Sequence, residues 1–145
     1  MIHLIKLCVG VDSPAELIAW QAQRLRAMKR AGQTPELVHR TRQMPKRRDE
    51  VLDGGSLYWV IKGSILMRQR ILDLREEADS EGRALCAIVF DPALVPTRPQ
   101  ARRAFQGWRY FPVEDVPPDL PASEAAVLAD MPAKMRSELA ALALL

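Results

Sequence analysis

Between Arg24 and Arg48 the chain carries nine cationic side chains (Arg24, Arg26, Lys29, Arg30, Arg40, Arg42, Lys46, Arg47 and Arg48) against one acid, Glu36. A second acid-poor stretch, Pro92 to Val113, holds Arg98, Arg102, Arg103 and Arg109. Such density suits one chemistry above others. Lys and Arg that neutralise phosphates release counterions, the term that dominates non-specific nucleic-acid affinity. Arginine also forks onto phosphate oxygens and stacks on planar rings. The competing reading is a solvated helix face, which is what charge runs usually form.

Aromatic residues interleave with this charge. Trp20 precedes Arg24 by one helical turn, and Phe105-Gln106-Gly107-Trp108-Arg109-Tyr110 gathers rings, a cation and a permissive glycine. Trp59 is expected opposite Arg68 across a hairpin, with Leu57 opposite Arg70. Rings within a positive groove are a common platform for single strands. For Trp59, inside an apolar run, a core anchor is the stronger reading.

Other chemistries lack their residues. The chain has no phosphate-binding glycine loop, dinucleotide fingerprint, zincin helix or Cys-x-x-Cys pair. Gly54-Gly55-Ser56 begins like a nucleophile elbow, but Tyr58 stands where that motif needs glycine. His3, His39, Cys8 and Cys86 lie too far apart for ligand spacing, so no metal or other cofactor is expected. His3, alternating with apolar neighbours, reads as a structural imidazole. His39, among Arg40 and Arg42, has its imidazolium form disfavoured by neighbouring charge. No spacing specifies a reaction, and no catalytic residue is assigned.

The elements that must position these residues follow from local signals. Residues 2–9 are apolar enough for a strand. Ser13-Pro14-Ala15-Glu16 supplies an N-cap serine, proline at the first helical position and glutamate three after the cap. The helix is predicted to run to Ala31 and stop at Gly32, with Leu17, Ile18, Ala22, Leu25 and Met28 as its apolar stripe. Residues 37–42 read as a short strand or extended link and Pro45–Leu52 as one or two helical turns. Leu57–Lys62 and Ile65–Leu74 form a hairpin around Gly63-Ser64. Ala84–Phe90 is a buried strand. Most of the eleven prolines follow residue 90, leaving one strand near Trp108–Val113 and helices from Ser123 and Pro132.

A length of 145 residues fits a single domain over 1–145. The expected class is α+β: a small, mainly antiparallel sheet or partly closed barrel, one long N-terminal helix and C-terminal helices. No apolar run approaches the ~18 residues of a membrane span, and the N-terminus does not suit a signal peptide. Two cysteines in apolar runs read as buried free thiols. A cytoplasmic protein without a membrane partner is therefore expected, and nothing in the sequence indicates a homo-oligomer.

Several of these motifs carry a likeness. His39-Arg40-Thr41-Arg42 with Pro45, Gly54 to Gly63, Arg68-Gln69 and Phe105 to Tyr110 resemble a proteobacterial family of unknown function and similar length. That resemblance covers nearly the whole chain and implies no activity. The helix, basic link and hairpin are also similar in outline to the small barrels of the PUA, ASCH and EVE group. That likeness implies a PUA-like fold binding RNA or modified bases, and no residue is carried over from it.

The first functional expectation is an RNA-binding, or more broadly nucleic-acid-binding, module. Arg40, Arg42, Lys46, Arg47 and Arg48 would contact phosphates, Arg68, Arg70, Arg102, Arg103 and Arg109 would extend the surface, and Trp108 or Trp20 would stack. The second is an enzyme or binding protein for an anionic small molecule. It needs Arg40, Arg42 and Arg109 converging in one pocket, with His39 or Tyr110 as acid or base. The third is a protein-interaction module using exposed tryptophan and the apolar run Leu139 to Leu145.

Overall fold

A computed structural model describes residues 1–121. The helices expected from Ser123 and Pro132 lie outside the described residues. The element order is β1 (His3–Leu7), α1 (Pro14–Arg30), β2 (Leu37–Thr41), α2 (Arg48–Leu52), β3 (Ser56–Ile61), β4 (Ser64–Ala78), β5 (Ala84–Phe90), β6 (Val95–Ala101) and β7 (Trp108–Phe111). No described helix is long and apolar enough to cross a membrane.

The cap signal opens α1. Ser13 Oγ accepts from the Glu16 backbone N–H at 3.2 Å, and Pro14 occupies the first turn, where its missing N–H costs nothing. At the far end Gly32 takes φ +75°. The Gln33 N–H then reaches Met28 O and the Gly32 N–H reaches Lys29 O, satisfying two carbonyls the helix leaves open. The buried stripe is narrower than expected. Ile18 is exposed, and the buried positions are Pro14, Leu17 and Gln21.

All seven strands join one sheet in the order β2-β5-β4-β3-β1-β7, with β6 on the opposite edge of β4 from β3. Only β1–β3 is parallel, because α1, β2 and α2 intervene as the crossover. The hydrogen-bonded path ends at β2 and β7, so the sheet is open and mixed. It nonetheless curls. The His39 ring on β2 stands 5.8 Å from the Trp59 ring on β3, although two strands separate them in the order.

Every residue of β3 is buried, because both faces of the sheet are covered there. Leu57, Trp59 and Ile61 join the core under α1, while Tyr58 and Val60 join a second cluster with Ile5, Ile65 and Phe111. A Cβ on Gly55 would overlap the carbonyl oxygens of Val51 and Ile2, so only glycine fits where α2 meets β3.

The hairpin register differs from expectation. Its two loop residues are Lys62 and Gly63, both at positive φ (49° and 80°), as a type I′ turn requires. A bulge at Trp59/Val60 then pairs Tyr58 with Arg68, Ser56 with Arg70, Leu57 with Gln69 and Trp59 with Met67. The expected Trp59–Arg68 and Leu57–Arg70 pairs are therefore incorrect. Strand β6 was not expected, since it contains Pro96 and Pro99. Its ladder runs along β4. On its other side, among the described residues, it makes only an isolated bridge, with the Arg98 N–H donating to Pro118 O and the Leu120 N–H to Pro96 O. It is therefore an edge strand, where proline is tolerated.

Candidate functional site

A cavity of about 570 Å³ opens between α1, the end of β1 and the concave side of the sheet. That volume lies within the ~300–1,000 Å³ of ligand pockets. Its buried surface is supplied by Leu17, Gln21, Trp59 and Phe90, and its half-buried walls by Lys6, Cys8, Val38 and His39. Trp20, Glu16 and Val9 line it from exposed positions. Trp20 is 52% exposed, the one tryptophan whose ring is open to solvent on this scale, and the Arg24 guanidinium lies over it at 5.5 Å. The flank of α1 away from Ile18 is thus what presents Trp20 to the cavity.

Three rings line the interior at right angles. His39 and Phe90 meet Trp59 edge-on at 5.8 and 5.9 Å. The polar group among them is an amide pair. Gln21 Nε2 donates to Gln69 Oε1 at 2.9 Å, and Gln69 Nε2 donates back to Gln21 Oε1 at 2.8 Å. Trp59 Nε1 donates to the same Gln69 oxygen at 2.9 Å, and Gln69 Nε2 also donates to Asp91 O at 3.0 Å. Buried amides satisfied this fully hold their neighbours in one arrangement.

Two charged side chains of opposite sign, Lys6 and Glu16, line the cavity, and the other walls are uncharged. Burial, with help from the Lys6 cation, holds the His39 imidazole down at about 4, so it is neutral at pH 7. Burial pushes the Cys8 thiol up to about 11 and lowers Lys6. No arginine lines the cavity. The arrangement suits a planar, largely apolar guest with a few hydrogen-bonding edges, and it does not suit a polyanion. Among the described residues no cluster of His, Cys, Asp and Glu could hold a metal ion.

A family described as "Protein of unknown function (DUF1489)" matches residues 4–145. The chain belongs to that family. No curated protein and no solved structure matches it.

In this DUF1489 chain the expected phosphate-binding arginines are mostly engaged. Arg40 Nε bonds Glu77 at 2.7 Å, and Arg42 bonds Asp79 at 2.8 Å. Arg47 forks onto Glu50, and its guanidinium lies over the Tyr110 ring. Arg48 reaches Asp73 and Leu74 O, both at 3.1 Å. Arg68 makes two 2.7 Å bonds to Asp119 and a third to Ser56 Oγ. Arg102 lies over Phe111 and Arg109 over Phe105. Arg26, Lys29, Arg30, Lys46, Arg70 and Arg103 form no ion pair among the described residues.

Trp108 acts as a brace: its indole N–H donates to Gln43 O at 2.7 Å and its ring packs against Tyr110. The Tyr110 hydroxyl in turn accepts from the Arg47 N–H. His3 Nδ1 accepts from the Ser56 N–H at 2.9 Å, a structural role, and burial lowers its pKa. Arg40 lies on β2, Arg42 just after it and Arg109 on β7, at the two ends of the strand order, and none of the three lines the cavity under α1.

Sequence reading missed Gln21, Gln69, Lys6 and Phe90 as site residues. One signal was available for Gln21: it lies between Leu17 and Leu25 at four-residue steps, a polar residue centred on an apolar stripe.

Proposed function

We propose that this domain is a single-stranded nucleic-acid-binding module, RNA foremost, that captures one unpaired base in the cavity under α1. The observation that carries the reading is Trp20. It is a half-exposed ring at a cavity lined by Trp59, Phe90 and neutral His39, with the Arg24 guanidinium over it. A base has a π face for such rings, and the phosphate beside it would meet Arg24. The cations Arg26, Lys29, Arg30, Lys46, Arg70 and Arg103 supply the long-range attraction.

The ion-paired arginines of β2 and α2 take a lesser part than their density in the sequence suggests. An arginine already forked onto a carboxylate gains less by moving to a phosphate, because the carboxylate is left behind unpaired.

Fluorescence-anisotropy titration with short single-stranded and duplex RNA and DNA at several salt concentrations tests the reading. Expected is a preference for single strands, with log affinity falling by about 0.7 per neutralised phosphate per decade of salt. Absence of binding at low salt would remove the proposal. The cavity would then be read as a site for a free planar small molecule.

A further inference from the structure

Gln21 is 3% exposed and lines the cavity, yet its amide is only half used. An amide offers two N–H groups and two oxygen lone pairs. Gln69 has all four engaged: with Gln21 in both directions, with Trp59 Nε1 and with Asp91 O. Gln21 has one N–H and one lone pair engaged, both by Gln69. Two amides that donate to each other reciprocally do so through the edge where N–H and lone pair lie side by side. The remaining N–H and lone pair of Gln21 therefore point apart, one at each end of the amide.

The sense of this arrangement is fixed from outside the pair. Indole Nε1–H can only donate, and the Asp91 carbonyl can only accept. A flipped Gln69 amide would set donor against donor at Trp59 and acceptor against acceptor at Asp91. Reciprocal pairing passes the fixed orientation on to Gln21.

We infer that Gln21 is the specificity-determining residue of the cavity, reading a nucleobase through one hydrogen bond of fixed sense, and that Gln69 is its positioning residue. The inference rests on the nucleic-acid reading above. It has a stereochemical consequence. The side-by-side donor–acceptor contact by which glutamine reads adenine is unavailable, because that edge of Gln21 is taken by Gln69. Base choice follows instead from which base edge meets the single free N–H or lone pair. A base of the wrong sense leaves a buried polar group unpaired, and such mismatches discriminate far better than apolar contacts do. Free nucleosides and unpaired strands offer the same base chemistry, and a strand adds phosphates for Arg24.

Tryptophan-fluorescence titration with adenosine, guanosine, cytidine and uridine, and with the four short homopolymeric single strands, provides the test. Wild type is expected to rank the four bases over at least roughly tenfold in Kd. Gln21→Leu should bind all four more weakly and compress the range to about threefold or less, because only ring contacts remain. Gln69→Leu should lose the ranking although Gln21 is still present, an effect that packing alone would not produce. Thermal melts establish that each variant is folded. If Gln69→Leu is not, isosteric Gln21→Glu, which removes the N–H donors, should reorder the bases.

An unchanged order in Gln21→Leu or Gln21→Glu would overturn the inference and leave nucleic-acid binding standing. No binding of any nucleoside or strand by wild type would overturn both. Binding of free nucleosides with no gain from a strand would overturn the nucleic-acid reading and keep Gln21 as the reader of a nucleoside.

Discussion

On β2, α2 and β4, and just after β2, Arg40, Arg48, Arg75 and Arg42 face Glu77, Asp73, Glu36 and Asp79 in turn. Under α1 the pattern is reversed. There Gln21 keeps half of its amide unengaged at the wall of a ring-lined cavity, and Arg24 lies over an indole rather than against an acid. The first region carries most of the charge and has already spent it within the fold. The second has a buried amide and cations of α1 that are not spent on carboxylates among the described residues. Availability, rather than density, separates a surface held by its own contacts from one that can take a guest.

The sharpest way to break this contrast is to empty the cavity wall. Trp59→Ala removes the indole that both packs the core and fixes Gln69. It is expected to cost about 3–5 kcal/mol of stability, seen as a lower denaturant midpoint, and to abolish base capture. A loss of similar size from Arg42→Ala would mean that the ion-paired face, and not the cavity, organises the fold. Exposed ion pairs are worth about 0–1 kcal/mol, so Arg42→Ala should stay within that range.

Trp20→Ala comes next. The ring is half exposed, so the expected change in stability is under about 1 kcal/mol, while the loss of one stacked base weakens single-strand binding by roughly tenfold. Equal effects on folding and binding would make Trp20 a packing residue. The smallest expected effect separates the cations singly. Arg24→Ala should weaken binding about threefold, and Arg42→Ala less, each losing one phosphate's share of the salt slope or none.

Acid titration sharpens the same contrast from another side. His39 is held neutral, at about 4 against 6.5 for the free side chain. The unfolded chain takes up a proton at this position between those values, and the folded chain does not. Its contribution to stability is therefore complete above about pH 6.5 and is lost progressively as pH falls towards about 4. His39→Phe should reduce the slope of the stability profile over that window, leaving the share that His3 contributes, as read by urea unfolding at stepped pH. Asp79, lowered to about 2 by Arg42 and the backbone of Arg83 and Glu81, makes a contribution that is complete above about pH 3.8 and is lost as pH falls towards about 2. Arg42→Ala should alter the profile there and leave the higher window unchanged.

Much of the fold was legible locally. Ser13, Pro14 and Gly32 mark the ends of α1, and the apolar runs at Leu57 and Ala84 become β3 and β5. What could not be read depends on long-range pairing. The acids that neutralise Arg40 and Arg42 sit at Glu77 and Asp79, brought near through the β2-β5-β4 ladder, so a count along the chain finds none. The hairpin slipped by one residue because Lys62 accepts positive φ beside Gly63 and a bulge absorbs the difference. Pro96 and Pro99 hid β6, which is tolerated only as an edge. The cavity drew its walls from α1 and four strands, and no stretch of sequence contains more than part of it.

Titration of one short labelled single-stranded RNA into wild type, Trp20→Ala and Arg42→Ala, with melts run alongside, addresses the central claim most directly. Expected is a roughly tenfold weaker Kd for Trp20→Ala at nearly unchanged stability, with Arg42→Ala close to wild type. Wild-type affinity in Trp20→Ala together with a marked loss in Arg42→Ala would contradict it and return the binding surface to the arginines of β2.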